Sequence, residues 1–278
     1  MAERTQARIP NVLSIAGVDP SGGAGLLADI KAMSACGAYG CGVVTALTAQ
    51  NTKGVFGVET VSPEFVRRQL DVLFDDVAID AVKIGMLSDA AVIDVVADVL
   101  QARRPRFIVV DPVMVAKSKD RLLAKDAVQA LAERLLPLAT VITPNLPEAA
   151  EILGEEEVES ADAMDAVAER LAKRVGPSGW VLLKGGHLKG NIASDLLLGA
   201  GISLRFEAPR IETKNTHGTG CSLSSALAAL LPQTCSVPDA VQRAKTFITG
   251  AIANADQLVV GSGHGPTHHF WQVWRRQM

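Results

Sequence analysis

The chain has 278 residues, 48% of them hydrophobic and 21% charged, which supplies one sizeable core and excludes a disordered chain. Its 24 glycines and 13 prolines follow no fixed period, so collagen-like and linker-like chains are excluded as well. With 27 basic against 30 acidic side chains the net charge is -3, and no basic stripe offers a hold on a phosphate backbone, so nucleic acid is not an expected partner.

Short apolar runs bounded by Gly, Pro or Asn alternate with longer amphipathic segments throughout, the pattern of an α/β protein. A strand is predicted over Val12–Ala16, then a glycine-rich loop and a helix over LLADIKAMSA. Strands over Gly42–Ala46 and Gly57–Val61 follow. A helix begins at Pro63, with Phe65, Val66, Leu70, Leu73 and Phe74 at helical spacing. Next come a strand at Ala81–Ile84, a helix at Asp89–Leu100, and strands at Phe107–Asp111 and Thr140–Thr143. A helix starts at Asn145 and another spans Ser160–Val175. The strand Trp180–Lys184 precedes a pair, Ala193–Leu198 and Leu204–Ala208, that resembles a hairpin. Helices at Gly220–Leu231 and Pro238–Leu258 close the order.

The runs Ile108–Asp111, Val141–Thr143 and Val181–Lys184 are apolar on nearly every position, as strands covered on both faces of a parallel sheet should be. No repeat, low-complexity tract or linker divides the chain, and the charge run at Glu151–Ser160 reads as a solvated face. A single domain over residues 1–278 is expected. No apolar run approaches the ~20 residues that cross a bilayer. The short apolar run after MAERTQARIPN leads into a glycine loop rather than a cleavage site. Cys36, Cys41, Cys221 and Cys235 form no CxxC pair and no disulfide framework, so a cytoplasmic protein without a membrane partner is expected.

An open α/β sheet binds ligands beyond the carboxyl ends of its strands, which directs attention to the residues just after each one. After the first strand stands GVDPSGGAG, Gly17–Gly25, containing Asp19 and Ala24. Its glycines allow close backbone approach and the amides at the following helix start favour an anion or a polar ring substituent, although a tight turn explains them equally. Asp29, one turn into that helix, is expected to face the loop. TAQNT places Gln50 and Asn51 beyond the second strand. Their carboxamides suit a heteroaromatic edge, or simply cap a loop.

KIGML and DPVMVAKS end two more strands, with Met86, Val113 and Met114 available as an apolar slot or as core. Asp111 follows a buried strand and needs a partner. In TPNLPEA, Asn145 and Glu148 read locally as a helix cap with a helpful acid. With Asp111 nearby, the oxygens of Asp111 and Glu148 can instead hold Mg²⁺ beside phosphates. KGGH supplies Lys184 as a point charge for phosphate. In TKNTHGTGC, Gly218, Thr219, Gly220 and Cys221 bring amides and a helix dipole to one small volume, an anion hole. Cys221 at a helix start is expected to have a lowered pKa, or else is a small buried hydrophobe. His217 can be a loop hydrogen-bonder. His264, His268 and His269 lack an accompanying metal-ligand set.

Taken together and in this order, GVDPSGGAG, TALTAQNT, KIGML, DPVMVAKS, TPNLPEA, KGGH and TKNTHGTGC resemble the hydroxymethylpyrimidine/phosphomethylpyrimidine kinases of thiamine biosynthesis, in the ribokinase-like superfamily. The likeness runs from about Val12 to the GPTHHFW tail. The first ten residues lie outside it and are expected to be a flexible extension. The resemblance implies a ribokinase-like three-layer sandwich with a mostly parallel central sheet. It also implies transfer of the γ-phosphate of ATP to 4-amino-5-hydroxymethyl-2-methylpyrimidine, then to the monophosphate, giving the pyrophosphate.

Carried over, the pyrimidine site is Gly17, Asp19, Ala24, Asp29, Gln50, Met86, Val113 and Cys221. ATP falls to Thr143, Asn145, Lys184 and Lys214, and Mg²⁺ to Asp111 and Glu148. Lys184 with Gly218, Thr219, Gly220 and Cys221 forms the catalytic set, Cys221 standing where most of the superfamily has an aspartate base. A homodimer is implied, and Lys117–Lys125 is a candidate lid. Lys119 departs from a glycine common at that place in the family. The rival readings are a pyridoxine or pyridoxal kinase of the same superfamily and a pyrimidine-binding sensor without turnover.

Overall fold

The computed structural model describes residues 8–114, 125–186 and 188–274. Nine strands form one sheet in the order β3-β2-β1-β4-β5-β6-β7-β8-β9. They are β1 (Asn11–Val18), β2 (Tyr39–Asn51), β3 (Gly54–Thr60), β4 (Ala81–Ile84), β5 (Phe107–Val110), β6 (Val141–Ile142), β7 (Trp180–Lys184), β8 (Ile192–Gly199) and β9 (Ile202–Pro209). The six strands from β2 to β7 pair in parallel. Antiparallel pairs close both ends, β2 with β3 at one and β7 with β8 and β8 with β9 at the other. The helices are α1 (Gly25–Ala35), α2 (Pro63–Asp76), α3 (Ala90–Arg103), α4 (Lys125–Ala130), α5 (Leu146–Leu153), α6 (Met164–Ala172), α7 (Thr219–Leu230) and α8 (Val237–Ala253). None is long and apolar enough to cross a membrane among the described residues.

Strand alternation sorts the sheet's side chains into two cores. Leu13, Ile15, Val82, Ile84, Ile108, Val110, Val181 and Leu183 pack on the side of α2, α3, α4, α5 and α6. Val12, Ala81, Val109, Val141, Trp180 and Leu182 pack under α1, α7 and α8. The three-layer sandwich with a mostly parallel sheet is therefore as expected. The same period of two puts Ser14, Lys83, Asp111, Thr143 and Lys184 on the α1–α7 side, all but Ser14 at or near a strand's carboxyl end.

Two differences from the sequence reading matter. Strand β2 runs on to Asn51 and folds back on β3, with Gln50 opposite Val55 and Asn51 opposite Gly54, so the two carboxamides lie in a hairpin arm rather than a loop. The segment from α4 through a wide π turn at Leu131–Leu135 and a tight turn at Leu136–Leu138 is helical, an element absent from the predicted order. The candidate lid lies outside the described residues except for Lys125 at the start of α4, as do Lys119, His187 and the first seven residues.

Helices α2, α3 and α8 begin on side-chain caps. Ser62 accepts from the Phe65 amide at 3.3 Å, Asp89 from Val92 at 2.9 Å and Ser236 from Asp239 at 3.2 Å. Helices α1 and α7 follow the N-cap residues Ala24 and Gly218, neither of which offers a capping side chain. Both starts open onto the same volume, where their uncapped N–H groups and dipoles favour negative charge.

Candidate active site

Two glycine-bearing loops meet over the ends of β1 and β4. Gly218 has φ +72°, and a β-carbon there would lie 1.8 Å from the Gly23 carbonyl oxygen, so only glycine permits this approach. Asp19 organises the first loop. Its carboxylate accepts from the Ser21 amide at 2.8 Å, the Ser21 hydroxyl at 2.9 Å and the Ala24 amide at 3.0 Å, and His217 Nε2 lies 2.7 Å from Oδ2. Burial works against the charge on Asp19, but the bonds from His217 and Ser21 outweigh it and hold the carboxyl below its usual range. Lys31 donates to the Gly22 carbonyl at 2.7 Å.

Asp111 is almost wholly enclosed at the end of β5. It accepts from Thr143 Oγ1 at 3.0 Å, Lys184 Nζ at 3.1 Å and Ser224 Oγ at 3.1 Å. Burial alone would raise its pKa, but Lys184 and then Lys83 overcome that and keep it low. Asn145 and Glu148 form the reciprocal cap that the sequence suggested. The Asn145 side chain accepts from the Glu148 amide and Glu148 Oε2 from the Asn145 amide, both at 2.8 Å. The cap buries Glu148 beside Asp111. Burial, eased by Lys184 and aggravated by Asp111, pushes the Glu148 carboxyl up to about 7.

Two buried carboxylates facing one ammonium are an excess of negative charge, which suits a divalent cation. Mg²⁺ binds through one or two carboxylates with phosphate and water oxygens completing its shell, and Asp111 with Glu148 fits that donor set. Among the described residues no group of three or more His, Cys, Asp or Glu forms a closed metal cage.

Lys184 ends β7, and a β-carbon on Gly220 would stand 3.2 Å from its Nζ and 3.8 Å from Asp111 Oδ2. The start of α7, the lysine and the aspartate therefore share one small volume. Cys221 lies in the next position, half-buried, with the Gly25 amide directed at its sulfur. The expected lowering of its pKa is not what the structure gives. Burial, with repulsion from Asp29 and Asp111, outweighs the attraction of Lys83 and pushes the thiol up to about 11. The helix start does not offset the apolar surroundings.

Gly17 closes the other side. A β-carbon on it would lie 2.5 Å from Met86 Cε, so the absence of a side chain lets the methionine lie against the loop. Met86, Val113, Ala24, Gln50 and Cys221 are all partly exposed. Three other expected residues sit elsewhere. Asp29 does not face the loop: it is fully buried, with Ser14 at 2.6 Å, Ser225 at 2.7 Å and Lys83 at 2.8 and 2.9 Å. Thr143 is fully buried and serves Asp111. Lys214 is exposed on the strip leading to His217.

The sequence reading passed over Lys83, Ser224, Ser225, Asp195 and Lys245. Lys83 carried a signal, being a lone cation within the apolar strand AVKI, which only a buried partner can sustain. Asp195 accepts from the Gly185 amide at 3.1 Å and from Lys245 at 2.7 Å, anchoring the turn just after Lys184. Nothing in the local sequence of β8 announces that link.

The phosphomethylpyrimidine kinase family matches this chain over residues 19–268. A hydroxymethylpyrimidine/phosphomethylpyrimidine kinase of Escherichia coli is 51% identical over 270 residues, covering 95% of this chain and 98% of its own. Among solved structures, an ADP complex of Bacillus subtilis pyridoxal kinase is similar with a TM-score of 0.87 and 34% identity, over 95% of this chain and 99% of that one. A phosphomethylpyrimidine kinase of Clostridium difficile is similar with a TM-score of 0.77 and 41% identity, over 88% and 100% of the two chains. By sequence along nearly its whole length, and by the sandwich that carries its glycine loops, the chain belongs to the phosphomethylpyrimidine kinase family.

Proposed function

We propose that the chain phosphorylates 4-amino-5-hydroxymethyl-2-methylpyrimidine with ATP and then phosphorylates the monophosphate, giving the pyrophosphate. The observation that carries this reading is the convergence of Lys184, Asp111 and the uncapped start of α7 beside the cleft of Gly17, Gln50, Met86 and Cys221. The cleft accepts a flat ring with polar edges. The lysine and the amides of Gly218–Cys221 accept the three oxygens of a transferring phosphoryl group.

In the first transfer the substrate's hydroxyl oxygen bonds to the γ-phosphorus as the bridging oxygen leaves with ADP. The transition state is loose, so positioning and charge stabilisation dominate and the hydroxyl proton departs late. Cys221 stands where that proton is taken. Its thiol is protonated at rest, so it acts as a base only through the small thiolate population that Lys83 favours. In the second transfer the acceptor is already an anionic phosphate and needs no base. Asp111 and Glu148 would hold Mg²⁺, which would supply positive charge against the phosphates. Asn145 and Lys184 lie on the nucleotide side, with Thr143 supporting Asp111 from beneath.

Mass-resolved product analysis tests the reading, with ATP, Mg²⁺ and, in separate reactions, the pyrimidine alcohol, its monophosphate and pyridoxal. Mono- and then pyrophosphate from the pyrimidine is the expected result. Turnover of pyridoxal alone supports the second reading, which the likeness to a pyridoxal kinase structure favours. Pyrimidine binding without product supports a sensor.

A homodimer in the cytoplasm is part of the same proposal. The β2–β3 arm leaves Leu47 53%, Phe56 72% and Val58 46% exposed, an apolar surface that a second copy would cover. The four cysteines are free thiols, in keeping with a reducing compartment. Sedimentation of the wild type and of Phe56→Asp should give a dimer and a monomer respectively.

A further inference from the structure

Gln50 stands between two groups that together leave it one comfortable orientation. On one side Thr48 Oγ1 lies 3.1 Å from Gln50 Oε1 and 2.9 Å from the Val18 carbonyl. On the other, Gln50 Nε2 lies 3.5 Å from His217 Nε2, which itself lies 2.7 Å from Asp19 Oδ2. The proton count is decisive. Thr48 has one hydroxyl proton, and the Val18 carbonyl, which can only accept, takes it. The Asp19 carboxylate likewise requires a proton on His217 Nε2.

Two acceptors then face each other at Thr48 and two donors at His217. Exchanging the oxygen and nitrogen of the carboxamide removes both conflicts, and such an exchange is decided by the surrounding bonds alone. Gln50 then donates to Thr48 Oγ1, and its carbonyl takes the longer arm of a forked bond from His217 Nε2–H.

The imidazole cannot turn away from this role. Its backbone amide donates to the Gly265 carbonyl at 3.0 Å. The ring lies flush on the first glycine loop, where a β-carbon at Gly23 would stand 2.4 Å from His217 Cδ2.

We propose that the Asp19–His217 pair is a positioning element that fixes the Gln50 carboxamide with its carbonyl on the His217 side and its amide on the Thr48 side. A bound heteroaromatic edge must then present a donor followed by an acceptor in that order. An exocyclic amino group beside a ring nitrogen provides that order. A pyridine bearing a phenolic hydroxyl beside a methylated carbon does not. The pair thereby sets specificity without touching the reacting atoms. This inference rests on the pyrimidine kinase reading.

The test compares the wild type with His217→Leu, which frees the amide, and His217→Gln, whose Nε2–H can replace that of the imidazole. For His217→Leu we expect KM for the pyrimidine alcohol to rise about 10-fold with kcat nearly unchanged, and kcat/KM for pyridoxal to change by less than about 3-fold. His217→Gln should recover most of the pyrimidine KM. Calorimetric titration of the pyrimidine without nucleotide should show the same order of affinities, and thermal unfolding identifies any variant that has lost its fold. If the leucine variant does not fold, the glutamine variant with Asp19→Asn carries the test, the asparagine alone weakening pyrimidine binding. Equal losses on both substrates, or a loss confined to kcat, overturn the proposal. A wild type that phosphorylates only pyridoxal overturns the underlying reading and this inference with it, whereas a wild type active on the pyrimidine with indifferent variants overturns the inference alone.

Discussion

Lys83 places its ammonium 2.8 and 2.9 Å from the two carboxylate oxygens of Asp29, and both side chains are wholly enclosed beneath the cleft. The pair joins β4 to α1, while Ser14 from β1 and Ser225 from α7 occupy further lone pairs of the carboxylate. Four elements that build the site are thus locked by one buried charge cluster. Asp29 and Asp111 act on Lys83 strongly enough to overcome burial and raise its pKa.

Removing one member of such a pair leaves the other charge buried and unmatched. Lys83→Met should therefore lower stability by about 3–5 kcal/mol, while Lys83→Met combined with Asp29→Leu should recover most of the loss. Denaturant unfolding of the three proteins measures this. Equal midpoints for the single and double variants would show that Asp29 finds water or a proton without difficulty.

What could be read from sequence divides along the range of the interactions. The strands Ala81–Ile84 and Trp180–Lys184 coincide with β4 and β7, because continuous apolar runs between breakers leave a buried strand little alternative. The cap at Asn145 is local and was legible as such. Gln50 was misplaced into a loop because its hairpin is set by pairing with Val55, across a turn whose register the residues do not announce. Asp29 was misdirected for a similar reason. Its helical position gave the face, but its partners lie 15, 54 and 196 residues away in sequence. The Cys221 pKa failed through a competition of effects, the helix start being local and visible and the burial being tertiary and stronger.

That raised thiol pKa bears on catalysis. Cys221→Ala should slow phosphorylation of the hydroxymethyl group by about 10-fold or more, since positioned proton transfer contributes roughly 10²–10⁴-fold when it operates. Phosphorylation of the monophosphate should change by less than about 3-fold, because its acceptor is already an anion. Single-turnover rates for each step measure the difference. Equal losses in the two steps would show that Cys221 shapes the cleft and takes no proton.

On the proposed function Lys184, whose ammonium lies beside Gly220 at the start of α7, should matter equally to both steps, because each transfers a phosphoryl group from ATP. Lys184→Met should reduce kcat for either acceptor by about 10²–10³-fold, the range for removing one group aimed at transition-state charge. Affinity for the pyrimidine alcohol should stay nearly constant. A fall in pyrimidine affinity as large as the fall in kcat would place the lysine on the ring side of the cleft.

The tail of the chain gives the protein an acid-sensitive element. His269 is buried, with Ser222 Oγ 2.8 Å from its Nε2, and burial together with the charges of Lys31 and His268 depresses its pKa to about 4. Well above pH 6.5 the ring is neutral in both folded and unfolded chains and contributes no pH dependence. As the pH falls from 6.5 towards 4 the unfolded chain binds this proton first, so stability declines across that window by about 3 kcal/mol from this group. The carboxylates of Asp19 and Asp111, held below their usual range, add their losses only at lower pH. Glu148, whose raised pKa makes the folded chain the better proton binder over much of the same window, works in the opposite direction. Urea unfolding at pH 7 and pH 5 should therefore show the His269 loss as a difference: His269→Gln, which keeps a polar partner for Ser222 without a titrating ring, should fare better on acidification than the wild type. An equal change in wild type and variant would assign the acid sensitivity to other groups.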